Sequence, residues 1–203
     1  MDVILSTRNP SKLEQIRGVF ANSKIKILSL DDVGIEGEGV EDGLTLKENA
    51  LKKARYAFQA TQNKAKFWFV ADDTGLFIKA LDGKPGIKAA RWAGGTATTD
   101  EITQFCLKQL EGADNRSAMF ETVVAIVGPD GREYDMSGRV NGEILETPRC
   151  KPQPKMPYSP IFMPDGYDKV WAEMSVDEEN AISHRGQAFR LAKEFLEQQN
   201  AKL

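Results

Sequence analysis

Histidine and cysteine are scarce in this chain, and their scarcity excludes several kinds of site. A single histidine, His184, is too few for a histidine-rich metal centre. The two cysteines, Cys106 and Cys150, have neither the spacing of a zinc site nor the number that a disulfide framework requires. We therefore expect reduced thiols and a cytoplasmic protein.

Long hydrophobic runs and a strong net charge are also missing. The apolar run at the amino terminus, Val3 to Leu5, is too short for a signal peptide, and no segment is long enough to cross a membrane. A net charge of −3 provides no bulk attraction to nucleic acid or to an anionic membrane. We expect neither of these as a partner.

The remaining composition is that of an ordinary globular protein, with 203 residues of which 41% are hydrophobic and 28% charged. We expect one domain over residues 1–203, since no linker or repeat interrupts the chain. Short apolar strands alternate with amphipathic helices, which predicts an α/β fold with a long mixed sheet and helices on both sides. Strands are predicted near residues 3–5, 25–29, 67–70, 119–127 and 133–140.

Two adjacent carboxylates, Asp72 and Asp73, follow the predicted strand Phe67–Val70. Ligands commonly bind at such strand ends in open α/β sheets. Because side chains alternate along an extended chain, one carboxylate can enter a cleft while its neighbour faces the scaffold. Carboxylate oxygens suit Mg²⁺, although a plain turn is an equally good interpretation of this segment alone. Residues Leu76–Ala80 are predicted to pair with the preceding strand.

A polar run between the first strand and the first helix is a candidate phosphate site. Short polar side chains lie here beside the free amides of a helix amino terminus, and a lysine adds positive charge. The glycines of a P-loop are missing, and an ordinary capped turn is the alternative. The run consists of Ser6, Thr7, Arg8, Asn9, Pro10, Ser11 and Lys12.

Three further segments carry candidate residues. Lys53 lies at the edge of the apolar face of a helix that a capping signal at Thr45 begins, so it could reach into a cleft or remain a surface lysine. The acidic loop 36–43 could supply a second metal carboxylate or be a solvated loop. His184 and Arg185 could contact the carbonyl edge of a heterocycle, or simply follow a serine helix cap.

These segments together resemble one family, the inosine/xanthosine triphosphate pyrophosphatases. The matching segments occur in order over nearly the whole chain, which argues against chance. They are Ser-Thr-x-Asn-x-x-Lys (6–12), Thr-Leu-Lys-Glu-Asn-Ala-Leu-Lys-Lys-Ala (45–54), Ala-Asp-Asp-Thr-Gly-Leu (71–76), Gly-Lys-Pro-Gly (83–86), Ala-Arg-Trp-Ala-Gly (90–94), Pro-Ile-Phe-Met-Pro-Asp-Gly-Tyr (160–167), Ala-Glu-Met (172–174) and Ile-Ser-His-Arg (182–185).

The resemblance implies a homodimer of two-lobed subunits, each with a curved sheet and a central cleft, and Mg²⁺ as the cofactor. It implies that Thr7, Asn9, Lys12 and Lys53 hold a triphosphate, and that Thr74 lies beside the substrate. Asp73 would be a metal ligand or the base that activates water. Glu36 aligns best with the metal ligand of the acidic loop, and Glu41 is the alternative. His184 and Arg185 would contact the purine carbonyl edge.

The chain departs from the family pattern in the part expected to contact the base. Where the family usually has Gly-Phe-Gly-Tyr-Asp-Pro, residues 155–160 read Lys-Met-Pro-Tyr-Ser-Pro. This places Met156, Pro157, Tyr158 and Ser159 in the expected base pocket. Glu179 replaces a usual lysine and reverses the charge there. Methionine keeps apolar contact with a base but loses stacking geometry.

We expect a Mg²⁺-dependent pyrophosphohydrolase that converts deaminated purine nucleoside triphosphates (ITP, dITP, XTP) to monophosphates and cleanses the nucleotide pool. The altered pocket leaves open a different or modified base with the same chemistry. A nucleotide-binding protein with little or no hydrolysis is a further alternative. A related family that acts on modified pyrimidine nucleotides is disfavoured by Ser183-His184-Arg185.

Overall fold

The computed structural model describes residues 1–201, which fold around one seven-stranded mixed sheet. The strand order is β2-β1-β3-β5-β6-β7, and β4 pairs separately with β3. β1 runs parallel to β2 and β3, whereas the other pairs are antiparallel. The predicted α/β fold is confirmed. The strands are β1 (Asp2–Leu5), β2 (Lys26–Ser29), β3 (Phe67–Ile78), β4 (Pro85–Gly86), β5 (Ser117–Val127), β6 (Glu133–Ile144) and β7 (Phe162–Pro164).

The helices begin at capping residues that satisfy their first free amides. The side chain of Asn9 caps α1, Thr45 caps α2, and Ser183 caps α5. At Thr98 a reciprocal pair with Glu101 forms a full capping box for α3. The helices are α1 (Pro10–Phe20), α2 (Leu46–Ala60), α3 (Thr99–Gln109), α4 (Val176–Ile182) and α5 (His184–Asn200).

β3 is much longer than the sequence predicted, and the expected pairing of Leu76–Ala80 with it is wrong. Leu76–Ile78 continue the same strand, which stays in register with β5 from Phe69↔Val127 to Ile78↔Ala118. Asp72 and Asp73 therefore lie in mid-strand rather than at a strand end. Buried charges would ordinarily interrupt a strand, but here lysine and arginine side chains from neighbouring helices pair with them.

Successive residues of β3 face different hydrophobic layers. Phe69 and Ala71 pack with α2, while Val70 packs with α1 and α5. Farther along the strand, Leu76 and Ile78 join a third cluster with α3. The two aspartates lie between these layers, so the fold buries them where three hydrophobic clusters meet.

The region from 145 to 183 contains two short elements that the sequence did not predict, β7 and α4. Each is short, and no clear periodicity marks it, so local patterning carried little signal.

Among residues 1–201, no helix combines the length and apolar character required to cross a membrane.

A close approach between β6 and α5 depends on a glycine. Gly138 lies opposite Thr122 in the sheet, and a Cβ at this position would collide with the carbonyl oxygen of His184. It would also lie 2.8 Å from the backbone nitrogen of Ala188. Because these obstacles are backbone atoms, the start of α5 would have to move to admit a methyl group.

We therefore expect Gly138→Ala to lower the free energy of unfolding by about 2 to 3 kcal/mol, because the start of α5 is forced off the sheet. Chemical denaturation measures this loss. Ser137→Ala, a change at the exposed neighbouring residue, is the matched control and should leave stability almost unchanged. Equal stability of the two variants would contradict the packing argument.

Candidate functional site

A cavity of about 440 Å³ lies where the end of β1, the middle of β3, α2 and the start of α5 meet. Most of the residues singled out from the sequence line it. Pro10, Ser11 and Glu36 do not. The predicted residues in the lining are Ser6, Thr7, Arg8, Asn9, Lys12, Glu41, Lys53, Asp73, Thr74, Met156, Pro157, Tyr158, Ser159, Glu179, His184 and Arg185.

The polar run after β1 forms one wall of the cavity. The Asn9 side chain accepts from the backbone amides of Ser11 and Lys12, which orders the first turn of α1. Ser6 Oγ donates to the Lys53 carbonyl at 2.9 Å and ties this wall to α2. Ser11 Oγ instead donates to Pro154 O, so this side chain joins the loop ahead of residues 155–160.

Arg8 connects the same wall to the acidic loop. Its guanidinium donates to the carbonyls of Gly37 and Ile35 and pairs with Asp31. These contacts use three of the five N–H donors of Arg8, so it supports the loop while contributing to the cavity lining.

Asp73 lies beside a small polar cluster supplied by α2. Asn49 and Lys53 are four residues apart on that helix, so both project from the same face. Asn49 Nδ2 donates to Asp73 Oδ2 at 3.0 Å, and Lys53 Nζ lies 3.3 Å from Asp73 Oδ1. The same Lys53 nitrogen lies 2.7 Å from Glu41 Oε1. Two carboxylates therefore converge on one cation.

The protonation of this cluster follows from its burial and its charges. Burial raises the pKa of the Asp73 carboxyl above its ordinary value, and the attraction of Lys53 offsets only part of that rise. For Lys53, burial works against the charged form, but Asp73, Asp72 and Glu41 outweigh it and raise the pKa of the ammonium. The lysine thus remains charged, while the aspartate is a stronger base than a solvated carboxylate.

Asp72 has different partners and does not line the cavity. Lys12 Nζ donates to its Oδ2 at 2.8 Å, and Arg185 Nε lies 3.6 Å from the same oxygen. Burial alone would raise the pKa of Asp72, but Lys12 and Arg185 outweigh burial and hold it well below its usual range. Asp72 is thus an ionised anchor for two side chains of the cavity wall.

The acidic loop contributes Glu38 and Glu41 to the cavity lining, and not Glu36. Glu41 contacts Lys53 and also accepts from Arg91, whereas the exposed Glu36 lies outside the cavity lining. Among residues 1–201, no group of three or more histidine, cysteine, aspartate or glutamate side chains forms a site made of protein ligands alone. A metal held here would take only a few protein carboxylates.

The opposite end of the cavity is aromatic. The His184 ring stacks on Phe120 with centroids 4.8 Å apart, and Trp171 meets it edge-on at 6.3 Å. Tyr158 packs against Phe120, and its hydroxyl donates to Ala89 O. Burial lowers the pKa of His184 well below its ordinary value, with Arg185 adding to the effect, so the imidazole is neutral.

The divergent loop closes this aromatic end. Met156 and Pro157 line the cavity, while the Ser159 hydroxyl is engaged within the loop by Gln153 N and Met156 O. Glu179 is only 5% exposed, and its burial raises the pKa of its carboxyl despite the nearby Arg185. A buried carboxyl group with a raised pKa therefore lies at the aromatic end of the cavity.

Several cavity or partner residues were missed by the sequence interpretation. Asn49 and Arg91 lie inside segments that matched the family, so those matches could have drawn attention to them. Phe120, Thr122 and Trp171 carried no usable signal, because each is an ordinary residue of a buried strand or of an irregular segment. Gln15 receives a 2.6 Å hydrogen bond from Arg185 Nη1, which only the packing of α1 against α5 reveals.

Comparisons with known proteins show the family to which the chain is similar. The profile of the Ham1 family matches residues 3–195. A dITP/XTP pyrophosphatase of Thermoanaerobacter pseudethanolicus is 39% identical over 198 residues, which cover 97% of this chain and 96% of the relative. A dITP/XTP pyrophosphatase of Geobacter sulfurreducens is 37% identical over 196 residues, with 96% of each chain covered.

Solved structures show the same architecture. A HAM1 protein from Coxiella burnetii superposes with a TM-score of 0.83 at 35% identity, covering 98% of this chain and 99% of that one. The Staphylococcus aureus Ham1 protein gives a TM-score of 0.81 at 30% identity, covering 98% of this chain and all of that one (100%).

The buried neutral imidazole predicts a pH dependence of stability. Since the folded pKa of His184 lies well below its ordinary 6.5, the unfolded chain takes up this proton first and acid favours unfolding. Between about pH 7.5 and about pH 5, His184 should remove as much as about 2 kcal/mol of stability. Denaturant titrations across this range should show that loss in the wild type and not in His184→Gln. If the stabilities of the wild type and of His184→Gln fell in parallel as the pH is lowered, this prediction would be contradicted.

Proposed function

The chain belongs to the Ham1 family, and we propose that it hydrolyses deaminated purine nucleoside triphosphates to monophosphates and pyrophosphate. The observation that carries the proposal is the convergence of Asp73 and Glu41 on Lys53 at one end of a cavity whose other end presents His184 and Arg185. One end suits a charged phosphate chain, and the other suits a flat heterocycle.

We propose that the triphosphate lies against the wall formed by Thr7, Asn9, Lys12 and Lys53. Lys12 is held by Asp72 and Lys53 by Asp73, so both ammonium groups are already in place before an anion arrives. Preorganised cations lose little on binding and neutralise charge as it shifts toward the leaving pyrophosphate.

We propose Mg²⁺ as the cofactor, with Asp73 and Glu41 as its protein ligands. Both carboxylates already face a cationic nitrogen, and Mg²⁺ is commonly held by one or two carboxylates together with substrate phosphates. Glu36 is less suitable because it lies outside the cavity lining. When bound, Mg²⁺ would supply charge neutralisation for the phosphate oxygens.

As the alternative to metal ligation, the raised pKa of Asp73 in the metal-free site suits it to accept a proton from a water molecule that attacks the α-phosphorus. The bond between the α-phosphorus and the oxygen bridging to the β-phosphorus would break, and pyrophosphate would leave. Asn49 donates to Asp73 Oδ2 at 3.0 Å, and Oδ1, which has the longer contact of 3.3 Å with Lys53, would receive the proton. Lys53 stays charged throughout and stabilises the leaving group.

A different or modified nucleobase is the second candidate substrate, with the same chemistry. The buried carboxyl of Glu179 and the side chain of Met156 occupy the aromatic end of the cavity, and Ser159 is already engaged within its loop. These residues alter the hydrogen-bonding partners that a base would meet, and buried polar groups left unpaired discriminate strongly between substrates.

We further propose that the protein acts as a homodimer in the cytoplasm, where it would cleanse the nucleotide pool. The resemblance to the family supports the dimer. Both cysteines are unpaired in the structure, which is in keeping with a reducing compartment.

A panel of nucleoside triphosphates with Mg²⁺ tests the function, with pyrophosphate and orthophosphate followed separately. We expect pyrophosphate and monophosphate, and kcat/KM for dITP and XTP at least about tenfold above that for ATP. Preferred turnover of another base would favour the second candidate. Orthophosphate as the product, or tight binding without turnover, would contradict the proposed reaction.

The assignment of Glu41 predicts a specific metal phenotype. Glu41→Gln should raise the Mg²⁺ concentration required for half-maximal turnover by about tenfold or more, because one ligand loses its charge. Glu36→Gln, the same change on the same loop, should leave that concentration unaltered. Mg²⁺ titration of turnover after EDTA treatment measures both values. A larger shift in the Glu36 variant would favour the other assignment.

A further inference from the structure

A chain of hydrogen bonds crosses the sheet from Asp72 to His184. Thr74 and Thr122 lie opposite each other on β3 and β5, and their Oγ1 atoms are 2.7 Å apart. Thr122 Oγ1 lies 2.6 Å from His184 Nδ1. At the other end, Thr74 Oγ1 donates to Asp72 Oδ2 over 3.4 Å. Thr122 is fully buried, so solvent water cannot hydrogen-bond to its hydroxyl.

The direction of this chain follows from the group at its end. The Asp72 carboxylate can only accept, so it orients the Thr74 hydroxyl toward itself. A Thr74 hydroxyl that gives its one proton to Asp72 accepts from Thr122. Thr122 likewise donates its only hydroxyl proton to Thr74, so it accepts a hydrogen bond from the imidazole. The ring proton of His184 is then on Nδ1.

We propose that Thr122 is a positioning residue that holds the His184 proton on Nδ1, so that Nε2 presents a lone pair to the cavity. Two observations support the placement of the Nε2 lone pair in the cavity. His184 lines the cavity, and among residues 1–201 its Nε2 makes no hydrogen bond. Stacking on Phe120 fixes the plane of the ring, so the lone pair has one direction.

The consequence for substrate choice rests on the proposed function. A lone pair at Nε2 that faces the ring nitrogen N1 accepts a hydrogen bond from a base that carries N–H at that atom. Hypoxanthine and xanthine carry a proton on N1, whereas N1 of adenine is itself an acceptor and would meet the lone pair without a hydrogen bond. An unpaired acceptor in a buried site is costly, so this tautomer works against adenine nucleotides.

The chain has a single histidine, which makes the tautomer directly measurable. In protein labelled with ¹⁵N-histidine, the two ring nitrogens give separate signals whose shifts report which nitrogen is protonated. At neutral pH we expect the wild type without nucleotide to show Nδ1 protonated and Nε2 unprotonated. A wild-type spectrum with the proton on Nε2 would overturn the proposal without any mutation.

Two variants separate the hydroxyl from the shape of the side chain. Thr122→Val keeps the branched shape and removes the hydroxyl, so the proton should move to Nε2 in part or completely. Thr122→Ser keeps the hydroxyl and should retain the wild-type tautomer. In kinetics, the ratio of kcat/KM for dITP to that for dATP should fall about tenfold in the valine variant and recover in the serine variant.

The two readouts separate this inference from the function on which it depends. An Nδ1 proton in a protein that hydrolyses no nucleotide would support the tautomer and overturn the proposed function. Hydrolysis with the expected tautomer but an unchanged dITP to dATP ratio in Thr122→Val would overturn the role in base selection. If Thr122→Val keeps the wild-type tautomer, Thr122 does not position the imidazole.

Discussion

The buried ion cluster of Asp72 with Lys12 and Arg185 is the interaction on which the rest of this structure depends. It joins the middle of β3 to the start of α1 and the start of α5, two of the helices that flank the cavity. An uncompensated carboxylate here would interrupt the strand, and two uncompensated cations would repel each other. Because Asp72 attracts both cations and they compensate its charge, β3 continues through the site and positions both of its walls.

The continuity of β3 gives two adjacent, identical side chains different environments. Asp72 is ionised by Lys12 and Arg185 and is shut out of the cavity. Asp73 turns toward α2, where burial raises its pKa and Lys53 leaves it able to accept a proton. Because side chains alternate along the extended chain, Asp72 supports the structure while Asp73 takes part in the proposed chemistry. The hydrogen-bond chain through Thr122 extends the influence of Asp72 to the base end.

The parts of the cavity walls that depend on short sequence patterns, such as helix caps and strand alternation, could be predicted from the sequence. Caps at Asn9, Thr45 and Ser183 mark three helix starts. Alternation indicated that one of the two aspartates enters a cleft, and the family resemblance assigned that role to Asp73. What could not be predicted depends on contacts distant in sequence. The strand passes through its carboxylates only because α1 and α5 supply cations, and Thr122 resembles any core threonine until His184 packs against it.

The division between the two aspartates is tested most directly by comparing Asp72→Asn with Asp73→Asn in unfolding and in turnover. Asp72→Asn should lose about 3 to 5 kcal/mol of unfolding free energy, because two buried cations lose their partner. Asp73→Asn should stay within about 1 kcal/mol of the wild type, yet turn over about a thousandfold more slowly. A stable Asp72 variant, or an Asp73 variant with undiminished kcat, would contradict this account.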